Sequence, residues 1–234
     1  MKIFCIGDSL ALPGHNNSYE DTWFCLLKKA FPENDIISFF QRALTTNILH
    51  EPGGGEGKPG SFPAGADLLE HYMPGVVIMQ LGIVDCAPRY ISRGSVTAKI
   101  IGRSPAFFQT IFYSLIKMMR RRSSKYADVP PERFMSNMER FLQRCSNAGV
   151  LQVIVIDICT PGIHMLEKNP GIMESTKQYN AIMHSMQSKF PILHFIDPLN
   201  AGRHGDTIFE DGYHPNPAGN HIVFEEIAKV LCHG

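Results

Sequence analysis

The sequence predicts an α/β protein: a three-layer α/β/α sandwich around a five-stranded parallel sheet. Three observations carry that expectation. Five short runs, "KIFCIG" (2–7), "DIISFF" (35–40), "GVVIMQLG" (75–82), "VLQVIVIDI" (150–158) and "ILHFID" (192–197), are rich in β-branched or aromatic residues and bounded by Gly, Pro, Asn or Asp. Segments of helical periodicity stand between them. The runs are continuously apolar, the pattern of strands covered on both faces by helices.

Taken in order, the first run ends at Gly7 and breaks into Asp8-Ser9-Leu10 and then Pro13-Gly14, a strand running into a turn. The second leads into Gln41-Arg42-Ala43-Leu44-Thr45-Thr46, followed by "HEPGGGEGKPGSFPAG" (50–65). That stretch lacks the Gly-Lys-Ser/Thr ending of a phosphate loop, because its lysine is followed by proline, and it reads as a flexible loop. The third run leads into Gly82-Ile83-Val84-Asp85. Next comes "PAFFQTIFYSLIKMMRRR" (105–122), apolar around most of a helix and ending in three arginines. At about 15 apolar-dominated positions it is too short to span a bilayer. The expectation is a buried helix with a solvated basic end; the alternative is a lid or surface helix, apolar toward an acyl chain and basic toward an anionic head group. Residues 131–148 place Phe134, Met138, Phe141, Leu142 and Cys145 on one helical face, with Gly149 to close the end. Residues 173–189 and 217–232 read as helices in the same way.

With 234 residues, 44% of them hydrophobic, and no Ser/Gly/Pro-rich linker, the chain is expected to form one domain, 1–234, with a helical insertion or lid around 100–128. Lys plus Arg and Asp plus Glu both total 22, so overall charge gives no reason to expect nucleic acid or an anionic membrane as the main partner. The expected partner is a small-molecule, glycan or lipid ligand. Peripheral membrane contact is not favoured, and the oligomeric state is not legible. Six cysteines stand singly at 5, 25, 86, 145, 159 and 232, without a CxxC pair, which favours a reducing compartment and argues against a zinc site. The start of the chain has no basic, apolar and small-residue sequence of a secretion signal, so the expected location is cytoplasmic.

In a parallel α/β sheet, ligands bind outside the carboxyl ends of the strands. Ser9, Gly82, Asp85 and the loop after Asp197 fall there. A serine hydroxyl is a weak nucleophile and needs a histidine to take its proton and a third group to hold the ring. "FEDGYHPNPAGNH" (209–221) offers Asp211 and His214 three residues apart, where Gly212 and Pro215 enforce a turn. The competing readings are a serine that only caps a helix and a polar turn before the last helix.

"GDSL" near the start followed by "DGYHPN" near the end resembles the GDSL-type, or SGNH, hydrolase family. The resemblance covers nearly the whole chain. It implies a flavodoxin-like fold, Ser9 as nucleophile, His214 as general base, Asp211 as its orienter, and an ester substrate passing through an acyl-enzyme with no metal or organic cofactor. The family's third block reads Gly-x-Asn-Asp, whereas this chain has valine at 84. Loss of that asparagine's oxyanion contact costs about two to three orders of magnitude if nothing replaces it. The second oxyanion N–H is expected at Arg42 or Ala43, with Arg42 or Arg89 as compensating side-chain donors. Asp85 reads as an ion pair with one of those arginines or as a cap, ahead of a substrate contact. Asp8 is expected to fix the turn. Asp157 and Asp197 are expected to be structural, and the histidines other than His214, His221 included, to sit at the surface or at caps. The leading function is a serine esterase or acyl hydrolase, with an O-acetyl group on a carbohydrate among its substrates. Alternatives are a non-catalytic carbohydrate- or lipid-binding module of the same fold and an O-acyltransferase.

Overall fold

Each of the five apolar runs forms a strand: β1 (Lys2–Gly7), β2 (Asp35–Phe40), β3 (Val76–Gln80), β4 (Gln152–Ile156) and β5 (Leu193–Ile196). They form one sheet in the order β2-β1-β3-β4-β5, every pairing parallel. This is the flavodoxin-like order, whose switch point lies between β1 and β3. The computed structural model describes residues 1–49, 67–91, 95–120 and 126–233, so the glycine-rich run 50–65 lies outside the described residues. Register puts Ile6 between Phe39 and Met79, and Gly7 between Phe40 and Gln80. All five residues of β3 are buried, which explains why its sequence does not alternate.

The helices are α1 (Trp23–Ala30), α2 (Leu68–Tyr72), α3 (Ile83–Cys86), α4 (Val96–Arg103), α5 (Ala106–Arg120), α6 (Pro131–Asn147), α7 (Ile163–Lys168), α8 (Ile172–Ser185), α9 (Ala201–His204) and α10 (Pro217–His233). Two pairs, α1 with α10 and α6 with α8, pack together in the layers around the sheet. α6 shows why: Phe134, Met138, Phe141, Leu142 and Cys145 are all buried on one stripe, proline occupies its first turn, and Gly149 at φ +76° lets the chain leave. Cys5, Cys25, Cys86, Cys145 and Cys159 are buried, and burial pushes the thiols of Cys5, Cys86, Cys145 and Cys159 up.

The apolar segment 105–122 departs from expectation. It is helical over α5, but it is not buried: Phe107 is 71% exposed, and Phe108, Ile111, Phe112, Leu115 and Met118 also face solvent. α5 packs on α4, and the pair forms a hairpin outside the main layers. Apolar composition all around a helix signals burial only if another layer is available to cover it.

Candidate active site

β1 delivers the serine. It runs between β2 and β3, and a Cβ on Gly7 would stand 3.1 Å from Ala11 Cβ, 3.2 Å from Phe40 Cδ1 and 3.3 Å from the Gln80 carbonyl, so glycine suits this close approach. The Asp8 N–H donates to the Gln80 carbonyl (3.1 Å), and the Asp8 side chain accepts from Leu10 N–H (2.9 Å), capping one tight turn over Ser9–Ala11. Burial, against the pull of the Leu10 hydrogen bond and with the help of the Asp85 charge, pushes the Asp8 carboxyl up to about 8. Asp8 therefore fixes the turn, as expected, and holds a proton at neutral pH.

The histidine comes from the loop before α10. There Phe209 and Pro215 form an isolated bridge, and Glu210 N–H donates to the His214 carbonyl (2.8 Å). Gly212 lies at φ +100°, where an added Cβ would come 2.7 Å from Met165 N, so the loop depends on glycine at this point. Asp211 Oδ1 accepts from the main-chain N–H groups of Tyr213 (3.3 Å) and His214 (3.0 Å), a local turn closed by a carboxylate. Its Oδ2 lies 2.9 Å from His214 Nδ1, and His214 Nε2 lies 3.0 Å from Ser9 Oγ. Burial works to raise the Asp211 carboxyl, but hydrogen bonds from the His214 ring, His214 N–H and Tyr213 N–H outweigh it and bring it to about 2. An ionised carboxylate only accepts, so Nδ1 carries the hydrogen and Nε2 is left to accept from the Ser9 hydroxyl. The Tyr213 ring lies against the imidazole, centroids 4.1 Å apart.

Three residues that sequence reasoning missed join these two ends of the chain. Glu210 accepts from His15 N–H (3.0 Å) and Asn16 N–H (3.1 Å), and Asn17 donates to the Pro215 carbonyl (3.0 Å) while accepting from Gly14 N–H. Asn220 donates to the same Pro215 carbonyl (3.2 Å) and accepts from Trp23 N–H (3.0 Å), tying α1 to the histidine loop. The signal available was polar crowding in "PGHNN" and "NPAGNH", too common in loops to be decisive alone.

On the other side of Ser9, Ala43 follows β2 at φ +60°, a left-handed conformation that a non-glycine residue adopts at a cost of roughly 1–2 kcal/mol. Neither Ser9 N–H nor Ala43 N–H donates to any described residue. The arginines proposed as compensating donors are engaged elsewhere: Arg42 donates to the Pro13 carbonyl (2.8 Å), and Arg89 pairs with Asp128 (2.7 Å). Asp85 is fully buried and pairs with neither arginine. Its Oδ1 accepts from Thr46 N–H (2.8 Å) and Thr46 Oγ1 (2.5 Å), so it latches the segment after Ala43 to the end of β3. Burial raises its carboxyl to about 6 against the Thr46 hydrogen bonds. Gly82 sits at φ +122° with Ile158 Cδ1 2.6 Å from where a Cβ would be; it turns the chain from β3 into α3. Val84, on α3, is buried and brings no polar group. Asp157 pairs with His184 (2.9 Å), Asp197 with Arg203 (2.6 Å), and His221 with Glu225 (3.4 Å). Among the described residues, no group of three or more His, Cys, Asp or Glu side chains could hold a metal ion.

No family model matches the chain, and no curated protein matches it in sequence. Solved structures do. A psychrotrophic esterase from Pseudoalteromonas sp., in a form inhibited by monoethylphosphonate, is 16% identical with a TM-score of 0.58, over 99% of this chain and 97% of that one. A member of the lipolytic G-D-S-L family from Veillonella parvula is 13% identical with a TM-score of 0.56, over 99% and 98%. A carbohydrate acetylesterase from Sinorhizobium meliloti is 15% identical with a TM-score of 0.57, over 99% and 98%. At these identities the likeness establishes the fold.

Proposed function

We propose that the protein is a serine hydrolase of carboxylic esters. One observation carries this reading: Ser9 Oγ, the His214 ring and the Asp211 carboxylate form an unbroken hydrogen-bonded chain at 3.0 and 2.9 Å, built from positions 205 apart in sequence. A serine that only capped a turn would not need an imidazole on its hydroxyl, and Asp8, not Ser9, supplies the cap here.

In the reaction, Ser9 Oγ attacks the acyl carbon while His214 Nε2 takes the hydroxyl proton, and Asp211 holds the resulting imidazolium. The carbonyl oxygen becomes an oxyanion, which the N–H groups of Ser9 and Ala43, donating to no described residue, are suited to receive. Collapse of the tetrahedral intermediate breaks the bond to the alcohol oxygen, which leaves with the proton from His214, and an acyl group stays on Ser9. Water, deprotonated by His214, then releases the carboxylic acid and regenerates the serine. Every group needed belongs to the chain, so the proposed reaction requires no metal or organic cofactor.

An O-acetyl group on a carbohydrate is the substrate class we favour, on the fold shared with the acetylesterase. Intact-protein mass spectrometry after exposure to a fluorophosphonate tests the reading. The expected result is one adduct on wild type, none on Ser9→Ala, and a slowed reaction in His214→Ala. Absence of any adduct on wild type would leave a binding module of this fold. An adduct together with acyl transfer to a sugar hydroxyl in place of water would make the protein an O-acyltransferase.

A further inference from the structure

We propose that the α4–α5 hairpin is a docking surface for an anionic lipid bilayer. On α5, Phe107, Phe108, Ile111, Phe112, Leu115 and Met118 all face solvent, and at 3.6 residues per turn they fall within about 140° of the helix circumference. On α4, Val96 (71% exposed) and Ile100 (62%) stand beside exposed Lys99 and Arg103 on one face, while Ile101 points the other way and is buried. An uncovered apolar stripe of this size marks an interaction surface.

Charge identifies the occupant. Residues 90–127 contain eight of the chain's 22 Lys and Arg and none of its 22 Asp and Glu, so a neutral protein is divided into a +8 segment and a −8 remainder. A second copy seated on the stripe in a symmetric dimer would bring +8 against +8. Nucleic acid would answer the charge but leave the apolar stripe in water. A bilayer with anionic head groups satisfies both, taking Phe, Ile, Leu and Met among its acyl chains and Lys and Arg among its phosphates. Among the described residues, no helix is long and apolar enough to cross a membrane, so the hairpin lies on the surface.

The attachment lies at one end of the sheet. The hairpin leaves the body just after α3, at Arg89, and returns at Tyr126; these two residues exchange main-chain hydrogen bonds of 2.7 and 3.1 Å, and Asp128 N–H donates to the Asp85 carbonyl (3.0 Å). α3 follows the carboxyl end of β3, and Ser9 follows that of β1. The hairpin is therefore attached at the end of the sheet that carries the serine.

Co-sedimentation with phosphatidylcholine vesicles, with and without phosphatidylglycerol, tests the proposal. The full chain is expected to pellet with the phosphatidylglycerol vesicles and not with phosphatidylcholine alone, and to come off as salt rises. Phe107→Ser with Ile111→Ser, and separately Lys99→Glu with Arg103→Glu, should each weaken vesicle binding by about tenfold or more while melting at the wild-type temperature. Ser9→Ala should bind as wild type does, which separates this result from that of the fluorophosphonate experiment. The proposal is overturned by no binding to either vesicle, by equal binding to both, by insensitivity to the hairpin substitutions, by retention on duplex DNA without vesicle binding, or by a concentration-dependent dimer that Phe107→Ser abolishes.

Discussion

Glu210 holds His15: its carboxylate accepts the His15 main-chain N–H at 3.0 Å across 195 residues of sequence, with Asn16 N–H beside it at 3.1 Å. The acceptor stands four residues before His214, and the donors follow Ser9 by six and seven. The carboxylate thus couples the position of the base to that of the nucleophile without touching either.

Glu210→Ala should lower kcat by about ten- to a hundredfold, the cost of a nucleophile displaced by a fraction of an ångström, with KM nearly unchanged. Glu210→Gln keeps one acceptor oxygen and should recover part of the loss. Steady-state kinetics on p-nitrophenyl acetate, with a melting curve to confirm folding, reads both.

Val84→Asn should raise kcat by about ten- to a hundredfold without changing KM, because it restores an amide where GDSL-type sequences carry one. An unchanged rate would mean that the Ser9 and Ala43 N–H groups already meet the oxyanion's needs.

Ala43→Gly should raise the melting temperature, by up to about 1 kcal/mol of stability, since glycine adopts φ +60° without the Cβ penalty. The main-chain N–H is retained, so ester turnover should change little. Thermal denaturation and turnover measured on one preparation check both halves.

Stability should fall as pH rises from about 4 to about 8 because of Asp8. The folded protein keeps a proton on this carboxyl up to about 8, whereas the unfolded chain releases it near 4, so rising pH favours unfolding across that window. Asp85 adds the same trend up to about 6. Asp8→Asn keeps an acceptor for Leu10 N–H, so its melting temperature should gain on wild type as pH rises from about 5 to about 9. Equal pH profiles for the two proteins would refute the assignment.

β1, β3 and β4 were legible because each is a nearly unbroken apolar run buried along its length. β2 and β5, at the sheet edges, carry polar residues and are only partly buried; their β-branched and aromatic residues and flanking turn residues marked them. α6 was legible because its stripe keeps helical spacing. Ser9, Asp211 and His214 could be picked out because "GDSL" and "DGYHPN" together resemble two blocks of one known family, whereas spacing alone left Ser9 readable as a helix cap. What the sequence hid was pairing over distance. Asp85 reads as a partner for a nearby arginine, yet Thr46, 39 residues earlier, takes it, and Arg89 goes to Asp128. Glu210, Asn17 and Asn220 are ordinary loop residues until the fold brings the two ends of the chain together. The exposure of α5 was equally hidden, because composition records what a helix is made of and not what lies beside it.

The pairing of Arg89 with Tyr126 also makes the hairpin separable. Chain that departs and returns through two hydrogen-bonded neighbours can be exchanged for a short turn without moving either residue of the bridge. Residues 90–125 are thus a cassette: their loss should leave a smaller body of the same sheet, and their transfer between the equivalent positions of another protein of this fold should carry along whatever surface the hairpin prefers. Selection can accordingly alter where such a protein works without revising how its serine is held.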